Sequence, residues 1–187
     1  QSISLMAKAK SAYSIPTKIG KLDTHIFVVW VDNESGVLAR VVGLFSGRGY
    51  NIESLAVAEV DATKNISRIT IVTTGTPQVI DQIKLQLKKL VPVHKVADFK
   101  REDKKVIFKE MAFLKVVGNK NKIEKCLKAC KTFNPVILDK SKQSVVIQIT
   151  ALRREIDQMS KKLKTLGLIS TSRTGAIAMT RGAEVFK

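Results

Sequence analysis

The stretch Asp32-Asn33-Glu34-Ser35-Gly36-Val37-Leu38-Ala39-Arg40-Val41, followed by Gly47-Arg48-Gly49-Tyr50-Asn51-Ile52-Glu53-Ser54, sets a polar, glycine-bearing turn between two apolar elements. Before the turn, Ile26 to Val31 is an unbroken apolar run of strand length; after it, Val37, Val41, Leu44 and Phe45 recur at helical spacing. A junction of this kind offers the first N–H groups of the helix to solvent, because they have no acceptor within the helix. A carboxylate set there meets free donors and the positive end of the helix dipole, with Asn33 serving as N-cap or as ligand contact. The competing reading is structural: Asn33 and Ser35 only cap the helix and Gly36 only relieves crowding.

Working outward, residues 24–99 read as strand, helix, strand, strand, helix, strand. Asn51 to Val60 is the second strand, Asp61-Ala62-Thr63-Lys64-Asn65 a turn, and Ile66 to Thr74 the hairpin partner. A second helix opens at Gly75-Thr76-Pro77, with Thr76 as N-cap, Pro77 at the first position, and Ile80, Ile83, Leu87 and Leu90 on its core face. Val91 to Phe99 closes the unit. The order βαββαβ is that of a ferredoxin-like sandwich, one sheet with both helices on one face.

After a charged linker, Lys100 to Lys105, the same order recurs over residues 106–187. It runs as a strand from about Ile107 to Val117, a helix from Lys120 to Phe133, and strands at Val136 to Leu138 and Ser144 to Thr150. A helix carrying Leu152, Ile156, Met159, Leu163 and Leu166 follows, then one last strand from Leu168 past Gly175 toward Met179. The fold class is therefore α+β, two tandem ferredoxin-like domains related by pattern. The helix-free face of the first sheet is assigned Phe27, Val29, Val31, Leu55 and Val57. Apolar area of that size is seldom left in water, so a second sheet, domain or subunit is expected to cover it.

At 187 residues and 44% hydrophobic, the chain has enough apolar material for real cores, and no apolar run approaches the ~20 residues that span a bilayer. Cys126 and Cys130, four apart beside Ile123, Leu127 and Phe133, read as core-side thiols on one helix face. A metal site would need more ligands than these and the two histidines, His25 and His94, supply. The net charge of +17 suggests nucleic acid until it is divided: 8 basic against 7 acidic residues in 24–99, but 21 against 8 in 100–187. Much of the excess is lysine interleaved with core positions, as in Lys120, Lys122, Lys125, Lys128 and Lys131, which a solvated face explains first, an acidic partner second and nucleic acid third. Residues 1–23 read as a flexible basic tail, with an appended expression sequence or an organelle-targeting remnant as alternatives. A cytoplasmic location is the expectation, with mitochondrial matrix or plastid stroma if the tail is a transit remnant.

No nucleophile with a base, paired carboxylates, metal cluster or cofactor motif stands at a recognisable spacing, so an enzyme is not expected. Gly43, Gly47 and Gly49 lie at the end of a helix, the wrong end for a dinucleotide fingerprint.

From Asn33-Glu34-Ser35-Gly36-Val37-Leu38-Ala39-Arg40-Val41 through Gly43-Leu44-Phe45-Ser46-Gly47-Arg48-Gly49-Tyr50-Asn51-Ile52-Glu53-Ser54-Leu55, the chain closely resembles the regulatory small subunit of acetohydroxyacid synthase (acetolactate synthase). Ser67-Arg68-Ile69-Thr70-Ile71-Val72, Gln86 to Val93 and Ser172-Arg173-Thr174-Gly175 add to the resemblance, which covers about residues 24–182. It implies an N-terminal ACT domain, a homodimer with side-by-side ACT sheets, and a catalytic large subunit that uses thiamine diphosphate, FAD and magnesium in branched-chain amino-acid biosynthesis. This chain itself would carry no cofactor. It would raise the partner's activity and confer allosteric feedback inhibition by valine. The implied valine site takes Asn33, Gly36, Val37 and Leu38 from one subunit and Asn51 and Ile52 from the other. The Gly36 to Leu38 N–H groups would meet the carboxylate, the Asn33 side-chain oxygen the ammonium, and Leu38 with Ile52 the apolar side chain. Two other classes remain in view: a stand-alone ACT-domain sensor, separated by whether it co-purifies with a catalytic subunit, and a basic nucleic-acid-binding protein, separated by steep salt dependence and indifference to valine.

Overall fold

The computed structural model describes residues 20–186, so the tail reading for residues 1–19 lies outside it. Its first unit runs β1 (Asp23–Asp32), α1 (Val37–Ser46), β2 (Ile52–Asp61), β3 (Ile66–Gly75), α2 (Pro77–Lys89) and β4 (Val93–Lys100). The four strands form one antiparallel sheet in the order β2-β3-β1-β4, leaving β2 at a free edge. Phe27, Val29, Val31, Ile69 and Ile71 pack against Val37, Val41, Phe45, Ile80, Ile83 and Leu87 of the two helices.

That packing corrects the face assignment made from sequence. Phe27, Val29 and Val31 point toward the helices, Leu55 packs with them, and Val57 is 46% exposed at the edge. The helix-free face instead carries Ile26, Val28 and Val72, flanked by Trp30, Ala97 and Phe99. Alternation alone could not set the phase, because Ile26 to Val29 are all buried to within 2% and both faces of β1 are apolar.

The second unit continues with β5 (Val106–Val117), α3 (Lys120–Cys130) with a 3-10 turn at Lys131–Phe133, β6 (Val136–Lys140), β7 (Ser144–Ala151), α4 (Arg153–Lys164), β8 (Leu168–Arg173) and β9 (Ile177–Thr180). Cys126 and Cys130 lie in its core with Ile123, Leu114, Ile147 and Leu163. The single last strand expected from sequence is two. It breaks at Thr174-Gly175-Ala176, where Gly175 has φ +83°, and resumes as β9.

The break lets β9 pair with the first part of β5 (Val106 to Lys109), while β8 pairs with the second part (Ala112 to Val116). One face of β5 thus serves two cores. Ala112, Leu114 and Val116 meet α3 and α4, whereas Val106 and Phe108, with Ala176 and Ala178, lie on the helix-free face of the first sheet. The expected cover for that face is this β5–β9 ribbon. No helix among the described residues is long and apolar enough to cross a membrane.

Candidate functional site

The turn from Asn33 to Gly36 is fixed by backbone bonds on both sides. The Asp32 N–H donates to the Pro92 carbonyl at 2.9 Å, the Asn33 N–H to the Asn65 carbonyl at 2.8 Å, and Asn65 Nδ2 to the Asn33 carbonyl at 3.3 Å. Asp32 also pairs with His94. Asn33, expected as a possible N-cap, is not one: Gly36 occupies that position with φ +84°, and no side chain caps α1 among the described residues. The Val37 N–H bonds the Glu34 carbonyl at 3.3 Å and the Arg40 N–H the Gly36 carbonyl at 3.0 Å. Between them, Leu38 and Ala39 N–H have no backbone acceptor among the described residues. Nothing lies within 4 Å of where a Gly36 side chain would begin, so the entrance to this helix end is open.

Two of the other three helices carry a side-chain cap on a first-turn N–H, α3 and α2, and in α4 only the N–H of the N-cap residue is met by a side chain. Asn119 Oδ1 accepts the Lys122 N–H at 3.0 Å at the head of α3, Thr76 Oγ1 accepts the Val79 N–H at the head of α2, and Glu155 Oε1 accepts the Leu152 N–H at the head of α4. The counterpart of the Asn33 turn in the second unit is therefore closed by its own side chain.

Within one chain the expected site residues do not meet. Asn33, Gly36, Val37 and Leu38 gather at one end of the first sheet. Ile52 is level with Thr73, and Thr73 with His25, seven residues from Asp32 and so about 23 Å away along the strand. Asn51 is exposed beside Ile52, its carbonyl accepting from Thr73 Oγ1 at 2.7 Å.

Residues that sequence reasoning left without a role join this strand to the second unit. Glu53 Oε1 accepts from Thr74 Oγ1 at 2.6 Å, while Arg153 donates to Glu53 Oε2 at 2.7 Å and to its carbonyl at 3.0 Å. Ser54 Oγ accepts the Ala176 N–H at 2.9 Å. Behind Ala176, buried Glu110 takes two bonds from Arg173, at 2.8 and 2.9 Å, and one from the Gly175 N–H at 3.2 Å. The Glu110 bonds, opposed in part by burial and aided by Asp157, hold the Arg173 guanidinium still more firmly protonated than usual. Glu110 carried a signal: it shares the parity of Phe108, Ala112 and Leu114, and a charge at a core position demands a partner.

A ferredoxin-like sheet with an open, uncapped first helix is the architecture of an ACT domain, and residues 27–95 match the family model for an AHAS small subunit-like ACT domain. Residues 109–182 match that for the small subunit of acetolactate synthase. A probable acetolactate synthase small subunit from Methanothermobacter thermautotrophicus is 35% identical over 162 residues, 86% of this chain and 95% of that protein. The acetolactate synthase small subunit of Aquifex aeolicus is 37% identical over 163 residues, 87% of this chain and 83% of its own length. Among solved structures, the acetolactate synthase small subunit from Thermotoga maritima superposes with a TM-score of 0.75 at 32% identity, covering 86% of this chain and 99% of that one. The chain belongs to the acetolactate synthase small-subunit family, regulatory proteins with an ACT domain.

Proposed function

We propose that this chain activates the catalytic subunit of acetolactate synthase and inhibits it when valine binds between two ACT domains of a homodimer. The observation that carries the reading is the uncapped, glycine-started N-terminus of α1, with Leu38 and Ala39 N–H free for a carboxylate. Asn33 and Asn51 supply side-chain oxygens for the ammonium, and Leu38 and Ile52 the apolar contact.

The dimer supplies what one chain lacks. If two β2 edges pair antiparallel, the start of one strand comes beside the end of the other. Since Asp61 pairs with Ile66 and Ile66 with Asp32, the partner's Asn51 and Ile52 then come level with the Asn33 turn. Val57, 46% exposed on β2, and Leu38, 41% exposed at the head of α1, would be covered by the same contact. Valine would inhibit by binding the inhibited arrangement of the complex more tightly than the active one. Thiamine diphosphate, FAD and magnesium belong, in this reading, to the catalytic partner.

Calorimetric titration tests the site. Valine should bind the full chain saturably, and Gly36→Asp should abolish binding, since its carboxylate would repel the ligand's own. Normal binding by that variant would move the site elsewhere. Reconstitution with a catalytic subunit tests the role: failure of the full chain to change the rate would remove it.

A further inference from the structure

Between the two domains lies a cavity of about 320 Å³, well apart from the Asn33 turn and of the size of small-ligand sites. Its floor is apolar and comes from both units: Ile26 and Val72 of the first sheet, Phe108 of β5 and Ala176 of the segment leading into β9. Its walls are charged, and the charges divide into two groups. Glu53 and Asp157 are committed, the first to Arg153 at 2.7 Å and the second to Arg173 at 2.5 Å. Arg101 on the linker, Lys109 on β5 and Arg154 on α4 also line the cavity, and none of the three forms an ion pair among the described residues. Glu102 is the one lining acid outside the ion pairs described. Three cations from three elements against one acid, above an apolar floor, suit a ligand with one negative charge and a compact apolar body.

We propose that this interdomain cleft is a second small-molecule site, separate from the ACT dimer site, that takes a compact monoanion with an apolar body. The anion's charge falls among Arg101, Lys109 and Arg154, and its body covers Phe108, Val72 and Ala176. Because Glu53 forms one wall and directly follows Asn51 and Ile52 in the chain, an occupant also touches the strand that runs to the proposed valine site.

The test uses the full chain and four probes of similar size: 3-methylbutanoate, 3-methylbutanamide, 3-methylbutylamine and inorganic phosphate. Titration calorimetry should show saturable binding of 3-methylbutanoate that weakens as salt rises, with no binding of the amine and at least tenfold weaker binding of the amide and of phosphate. Lys109→Glu and Arg154→Glu, at exposed positions and checked for unchanged near-ultraviolet dichroism, should each weaken the carboxylate about tenfold. Gly36→Asp should leave it unchanged, which separates this site from the valine site whatever becomes of that reading. The inference fails if 3-methylbutanoate shows no saturable binding up to about 10 mM. It fails equally if Gly36→Asp removes binding while the two charge reversals do not, or if phosphate binds as well as the carboxylate, which would leave the apolar floor without a role.

Discussion

Gly36 and Gly175 have nearly the same backbone conformation, φ +84° and +83°, and opposite surroundings. A Cβ at Gly36 meets nothing within 4 Å, whereas one at Gly175 would stand 2.7 Å from the Leu55 carbonyl oxygen of the other domain. Alanine at Gly36 should therefore cost only left-handed strain, about 1 kcal/mol, and at Gly175 that strain plus a backbone clash, about 3 kcal/mol in all. Urea midpoints measure the difference, and equal losses would mean that the β2 contact gives way freely. Glu110→Ala leaves Arg173 without the partner that takes two of its hydrogen bonds, at a cost of about 3 kcal/mol. Burial, then the neighbouring Cys126, pushes the Cys130 thiol up from its ordinary value near 9 to about 11. The folded state then holds a proton that the unfolded state loses, so stability is full below pH 9 and falls as pH rises through 9 to 11. Iodoacetamide at pH 8 should modify both cysteines in urea and neither in the native protein.

Element by element, the sequence was informative where a single period or cap decided the matter. Thr76-Pro77 opened α2 as read, and the apolar spacing of each helix matched its buried face, down to the two cysteines of α3. It failed where one signal had several solutions. In Asn33-Glu34-Ser35-Gly36 the asparagine, the serine and the glycine are all residue types that suit an N-cap, and only the backbone selected glycine. Asn33→Ala should accordingly leave stability unchanged, while Asn119→Ala, which removes a real cap from α3, should cost about 1 kcal/mol. Thermal midpoints distinguish them, and a destabilising Asn33→Ala would restore the capping role. The β1 faces were unreadable because both are buried, and the β8–β9 break because it is fixed by groups distant in sequence acting on its backbone: the Leu55 carbonyl beside Gly175, Ser54 Oγ on the Ala176 N–H and Arg68 on the Ala178 carbonyl. The second half of the proposed site, Asn51 and Ile52, came from the resemblance and not from local pattern, since one chain leaves the two parts at opposite ends of a sheet. Val57→Lys, at the free edge of β2, should convert a dimer to monomer in sedimentation, and a dimer that persists would use another surface.

The described residues form two sheets but three cores, and the middle core belongs to both domains. Ile26, Val28 and Val72 meet Val106, Phe108, Ala176 and Ala178 there, and Arg68 reaches across to the Ala178 carbonyl at 2.5 Å while stacking 5.4 Å from Trp30 and 4.5 Å from Phe186. Burial draws the Arg68 guanidinium below its usual pKa, as expected for a cation enclosed among rings. A fragment ending at Lys105 keeps every element of the first unit and strips this cover. Its open face would then expose Ile26, Val28, Val72 and Phe99 as a contiguous apolar patch, a size that monomers seldom leave in water. The fragment should bind 8-anilinonaphthalene sulfonate and self-associate in sedimentation. Its emission should shift to the red, because Trp30, the chain's single tryptophan, loses Phe186 at 5.6 Å. The full chain with Ala178→Glu provides the matching test without truncation. A carboxylate forced into a 6%-exposed position should open the same joint and move Trp30 emission, while Cys126 and Cys130, in a separate core, stay protected from iodoacetamide. If the fragment were monodisperse with the emission of the full chain, the middle core would be incidental and the ACT domain self-sufficient. If it behaves as expected, loss of regulation on truncation reports an uncovered sheet as well as a missing domain, and substitutions in the full chain are needed to separate the two.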